Sequence, residues 1–132
     1  MKEVLDTRFF VELFFSADAQ VLARAREKLR DLRRRRAGVV PTLALAEFYE
    51  QACRRAGKRE ASKAWDAILA SALEIQPLTP SIARAAGALR CQHRDIPMAD
   101  CVITATAAEL GGKVVSDDPH FAGLRGTRVV WL

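Results

Sequence analysis

Four segments carry acidic residues placed where a carboxylate could do chemistry. Asp6 comes directly after the short run KEVL, residues 2 to 5. Asp117 and Asp118 come directly after Lys113-Val114-Val115 and Ser116. Asp100 lies early in the segment that begins after Pro97, and Glu47 interrupts LALAEFY, an otherwise uncharged and mostly apolar run. A carboxylate inside such a run must find a partner or water, because burying it unpaired is costly. Taken singly, each has an ordinary reading. Asp6 or Thr7 would cap the next helix, Asp100 would complement a helix dipole, Glu47 would reach the surface, and Asp117-Asp118 before Pro119 would shape a turn. Brought together, they would repel one another until one took up a proton or a cation bound. Oxygen ligands select hard ions, so the expected cation is Mg²⁺ or Mn²⁺. His93 and His120 lack metal-ligand spacing to each other and read as ordinary surface or structural residues.

Whether these side chains meet depends on the elements that carry them. Residues 2–5 read as a strand, and RFFVELFF as a short apolar helix. Over 18–35, Leu22, Ala25, Leu29 and Leu32 recur at spacings of three and four, an amphipathic helix ended by Gly38. Val39-Val40 is a second short strand. Pro41-Thr42 opens a helix to about Arg55, Gly57 breaks it, and 59–73 forms the next helix. Residues 74–78 alternate as a third strand, which Pro77 confines to a strand end or a sheet edge. Thr79-Pro80 starts a helix to about Arg90. Another helix spans roughly 98–110, stopped by Gly111-Gly112, before a fourth strand at 113–115. A loop with a helical turn covers 116–126, and a final strand covers 128–131.

Strands alternating with helices predict an α/β fold: a short central, mostly parallel sheet of about five strands with helices on both faces. In such sheets ligands bind beyond the carboxyl ends of the strands. If the first and fourth strands are central and parallel, Asp6 and Asp117-Asp118 meet there. The 132 residues show no repeat or linker and read as one domain, 1–132. Half of them are apolar and aromatics are sparse, so the core is expected from Ala, Val, Leu and Ile. Residues 1–15 carry Asp6 and Glu12, no secretory signal is apparent, and no run nears the roughly 18 apolar residues of a membrane span. Cys53, Cys91 and Cys101 form no Cys-x-x-Cys pair, indicate neither a disulfide framework nor a zinc site, and read as buried small hydrophobes in a reducing cytoplasm.

The sequence resembles the PIN-domain family over nearly its whole length, in the VapC-type branch. The matching pieces are VLDT at 4–7, LALAEFYE at 43–50, IPMADCVITATA at 96–107 and VVSDDPHF at 114–121. The resemblance implies a metal-dependent ribonuclease with Asp6, Glu47, Asp100 and Asp118 as its acidic, metal-holding quartet. Thr7 and Ser116 would be hydroxyl helpers. The family's last motif often reads Thr-x-Asp-x-x-Phe. Here Ser116-Asp117-Asp118-Pro119-His120-Phe121 gives the role to Asp118, with Asp117 beside it as a competitor for the metal-facing place. By the same resemblance the protein would be a homodimer, inhibited by a small antitoxin, and would cut RNA to a 5′-phosphate and a 3′-hydroxyl.

A negative pocket needs basic residues nearby to hold a phosphate backbone. The net charge of +5 is concentrated: residues 24–36 alone carry +6. Arg33, Arg34, Arg35 and Arg36, with Arg8, Arg54 and Arg55, are the candidate RNA contacts. A solvated helix face or a surface for an acidic partner explains the same charge run. Aromatics interleaved with the basic residues are missing, so base stacking is unsupported. Two rival functions remain open: an RNA-processing nuclease of the same fold, and a non-catalytic RNA- or protein-binding module. A phosphate-accepting receiver domain fits poorly, because its acidic pair follows the first strand.

Overall fold

The computed structural model describes residues 1–124 and 126–132. The elements are β1 (Glu3–Leu5), α1 (Thr7–Phe15), α2 (Ala19–Arg35), β2 (Gly38–Pro41), α3 (Thr42–Leu69), β3 (Glu74–Gln76), α4 (Pro80–Gln92), α5 (Met98–Glu109), β4 (Lys113–Val115), a 3₁₀ turn (Pro119–Gly123) and β5 (Val129–Val130). The strands lie in the order β3-β2-β1-β4-β5, every described pair parallel. The expected α/β architecture is therefore present, and the sheet is parallel throughout rather than mostly so. Pro77 falls just past β3, which is an edge strand, where a missing backbone donor costs no ladder bond.

The pleat sorts the core into two layers. Leu5, Val40 and Val115 face α1, α2 and α3, where Phe9, Phe10, Phe48 and Ile68 are fully or almost fully buried. Val4, Val39 and Val114 face the opposite way, against Ile82, Ala86, Cys101 and Ile103 of α4 and α5. Residues Asp100–Ala107 of α5 are all buried, so this helix is covered on every side and shows no polar stripe. No described helix is long and apolar enough to cross a membrane.

Helix α3 is one element interrupted at Gly57, whose φ of 86° and ψ of 165° lie far from helical values. Its second half ends at Leu69, earlier than the sequence pattern predicts, because Ala70 caps it and Ala72 turns with φ 62°. Cys101 is buried as expected, whereas Cys53 is only partly buried and Cys91 is exposed near the end of α4.

The arginine-rich end of α2 is tied to the amino-terminal end of β1. Glu3 is 2% exposed. It is paired with Lys28, and with Arg35 at 2.7 Å. Burial alone would push its carboxyl up, but Lys28 and Arg35 outweigh burial and hold it below its ordinary value. The resulting stability is present in full above an unfolded value of 4.5 and is lost as pH falls through the lower folded value. Glu3→Gln is expected to cost about 1–3 kcal/mol at pH 7, less than a fully buried pair because both cations keep some water. Urea unfolding of the variant checks this, and the deficit should shrink below pH 4.

Candidate metal centre at the carboxyl ends of β1 and β4

The chain runs from β1 to β2 and β3 on one side, then returns to β4 and β5 on the other. The strand order reverses at β1, so a crevice opens between the carboxyl ends of β1 and β4. Asp6 enters it from one strand and Ser116-Asp117-Asp118 from the other. The peptide N–H of Asp6 still donates to the Val115 carbonyl at 3.1 Å, which locks the two strand ends in register.

Asp6 caps α1, one oxygen accepting from the Thr7 amide at 2.8 Å and the other from the Ser116 hydroxyl at 2.6 Å. The Ser116 Oγ in turn accepts from the Asp118 amide at 3.0 Å. Thr7 donates its hydroxyl to Glu47 Oε1 at 3.0 Å, which brings the α3 carboxylate beside the first turn of α1. Both hydroxyls thus orient acidic groups rather than standing apart from them. Asp100, in the first turn of α5, approaches from beneath the sheet. His120 Nδ1 lies 3.0 Å from both Asp100 Oδ2 and Asp118 Oδ1.

Asp100, Asp118 and His120 offer ligand atoms all within 4.8 Å of one another. Asp6 and Glu47 stand outside that tight trio but within electrostatic reach. Burial first, then the charges of Asp118 and Asp6, push the Asp100 carboxyl up to about 6 against the opposing pull of His120. Asp6 is likewise raised by burial and by Asp118 and Glu47, with the hydrogen bonds from Ser116 and Thr7 opposing. Negative charge here is under-compensated. A divalent cation would relieve it, and the carboxylate oxygens are the kind of donor that suits a hard ion.

The structure adds to one reading and redirects another. His120 is exposed, yet it stands beside the acidic residues: Asp118 caps the 3₁₀ turn, accepting from the His120 amide at 2.9 Å, and the ring nitrogen reaches Asp100 and Asp118. The signal was available in Asp118-Pro119-His120, since a cap followed by Pro starts a tight turn that returns the next side chain to its origin. The basic tract does not flank the cavity. Arg35 binds Glu3 and Asp31, Arg34 binds Asp31, and the Arg36 carbonyl accepts from Lys2, all at the amino-terminal end of β1. That end lies about 10 Å along the strand from Asp6. Arg33 borders an apolar groove with Leu29, Phe10 and Leu73.

Of the other candidate cations, Arg8 sits at the cavity rim, held by Asp117 at 3.0 and 3.2 Å and by Glu12 at 3.2 Å. Asp117 is thereby turned toward α1, while Asp118 faces Asp100 and His120. Arg54 pairs with Glu50 at 2.7 Å, and Arg55 stacks over Phe15 at 5.9 Å from the ring centre. Phe15 ends α1, the helix whose start carries Thr7, so Arg54 and Arg55 stand near the outer end of α3's first half.

The PIN domain family matches residues 4–126, and the chain belongs to that family. No curated protein matches it in sequence at a significant level. Among solved structures, VapBC2 from Rickettsia felis, described as bound to a DNA fragment from its promoter, superposes with a TM-score of 0.80 at 18% identity, covering 99% of this chain and 98% of that one. VapC20 of Mycobacterium tuberculosis, described as a sarcin-ricin loop cleaving toxin, gives 0.75 at 19% identity over 92% and 94%. A toxin-antitoxin complex from Klebsiella pneumoniae gives 0.69 at 22% identity over 98% and 96%. At these identities the likeness is one of fold.

Proposed function

We propose that the chain is a single-domain, metal-dependent endoribonuclease, the toxin of a VapBC-type pair, working in the cytoplasm as a homodimer and restrained by a small antitoxin protein. The observation that carries the reading is the meeting of carboxylates from four remote segments at the strand-order reversal, joined through Thr7 and Ser116. A structural role alone gives no reason to bury mutually repelling acids side by side. The VapBC neighbours support the antitoxin and the substrate class by analogy of fold.

Asp6, Asp100 and Asp118 would hold Mg²⁺ or Mn²⁺, with His120 beside them and Glu47 oriented through Thr7. The ion, when bound, supplies positive charge for the phosphate oxygens and makes a nearby water more acidic. Asp6 is fixed by two hydrogen bonds, so its carboxylate is positioned before substrate arrives. Water attacks phosphorus, the bond to the 3′ oxygen breaks, and that oxygen ends protonated. The products are a 5′-phosphate and a 3′-hydroxyl. Arg54 and Arg55, further along α3 from Glu47, would serve the flanking phosphates.

Incubation with structured RNAs, with Mn²⁺ and with a chelator in its place, tests the reading. Metal-dependent cleavage leaving 5′-phosphates supports it. Ends carrying 2′,3′-cyclic phosphate, or cutting that survives chelation, overturn the assigned chemistry.

A further inference from the structure

We propose that Arg8 and Asp117 are positioning residues, a forked ion pair that holds the Asp118–His120 loop against α1, rather than a phosphate contact and a spare carboxylate. The inference rests on the nuclease reading only for its catalytic consequence. The geometry stands by itself.

Asp118 and His120 sit on the segment after β4, between Ser116 and the buried Phe121. Most of the bonds that shape its tip are local: Asp118 to Ser116, and the His120 amide to Asp118. Across to α1, Ser116 is pinned to Asp6. Asp117 makes the second such tie, its two oxygens meeting Nε and Nη2 of Arg8 at 3.0 and 3.2 Å. This parallel fork fixes orientation as well as distance. Glu12, one helical turn along α1, takes the same Nη2 at 3.2 Å and steadies the guanidinium. The first turn of α1 therefore reaches three partners in succession: Asp6 to Ser116, Thr7 to Glu47, and Arg8 to Asp117. Arg8 also offsets a carboxylate adjacent to Asp118, which would otherwise add to the repulsion in the cavity. Asp117 and Glu12 already take Nε and Nη2, so a phosphate could not use the Nε–Nη2 fork without displacing a carboxylate.

A double-mutant cycle in the full chain decides the matter, using Arg8→Gln, Asp117→Asn and the pair together. Both side chains are partly exposed, so the effect is modest. In metal-free protein, amide hydrogen exchange at Asp118 and His120 should rise about three- to fivefold in each single variant, and no further in the double. The Mn²⁺ dissociation constant should weaken by a similar factor, and kcat should fall with KM for RNA unchanged. Unchanged exchange, or additive effects, overturns the proposal. So does a rise in KM alone in Arg8→Gln with Asp117→Asn neutral, which would make Arg8 a substrate contact. If the unaltered chain neither binds Mn²⁺ nor cuts RNA, the nuclease reading fails, while the exchange cycle still tests the clamp.

Discussion

Replacing Asp6 with Asn is expected to lower RNA cleavage by roughly 10²–10³-fold while leaving the chain folded. The amide keeps an acceptor for the Thr7 N–H, so α1 remains capped. Its NH₂ would face Ser116 Oγ, which can accept from it while still accepting from the Asp118 amide. What disappears is the charge. A neutral Asn offers a cation far less than a carboxylate, and the 10²–10³-fold loss corresponds to about 3–4 kcal/mol of transition-state stabilisation. Single-turnover cleavage with saturating Mn²⁺ measures it. Activity within a few-fold of the unaltered chain would remove Asp6 from the reaction.

The second large effect concerns stability without metal. Asp100 is pushed up to about 6, and Asp6 is raised with it. A carboxyl whose folded pKa lies above its unfolded value of 3.8 favours the folded state when protonated, and this contribution is lost as pH rises through the folded pKa. Chelated protein should therefore lose about 1–2 kcal/mol between pH 5 and 7.5. Glu3 works in the opposite direction only below about pH 4.5, so it leaves that window clear. Adding Mn²⁺ at a hundred times its dissociation constant should return about 2.7 kcal/mol at pH 7.5 and much less at pH 5, where protons compete. Asp6→Asn, relieved of one charge, should melt higher than the unaltered chain at pH 7.5 in chelator. Thermal melts across pH with chelator or Mn²⁺ check all three. A flat profile with no response to Mn²⁺ would mean that the carboxylates are not coupled and hold no ion.

The groove bordered by Phe10, Leu13, Phe14, Leu29 and Leu73 lies between α1, α2 and the second half of α3. None of its lining residues belongs to the acidic cluster of Asp100, Asp118 and His120. Size alone is a poor guide to where a small hard ion would sit, because such a site is defined by oxygen atoms rather than by space.

Local chemistry made much of this molecule legible from its residues. Periodicity placed α2, Gly57 marked the break in α3, cap residues placed the starts of α1 and α4, and Pro77 confined β3 to a strand end or an edge. Alternation of strands with helices was enough for the parallel sheet, and the motifs named the family that the comparison of residues 4–126 shows. Partner choice was beyond sequence reading. That Asp117 turns to Arg8 and Asp118 to His120 depends on which side of the chain α1 passes, a fact no spacing along β4 contains. The α2 arginines looked like a flank to the acidic site because both were charged and complementary. The connection from α2 to β2 instead returns them to the opposite end of β1, where Glu3 was waiting as a buried counter-ion. Patterns one or two turns long fix elements, whereas the meeting of residues about a hundred positions apart is set by how the elements pack.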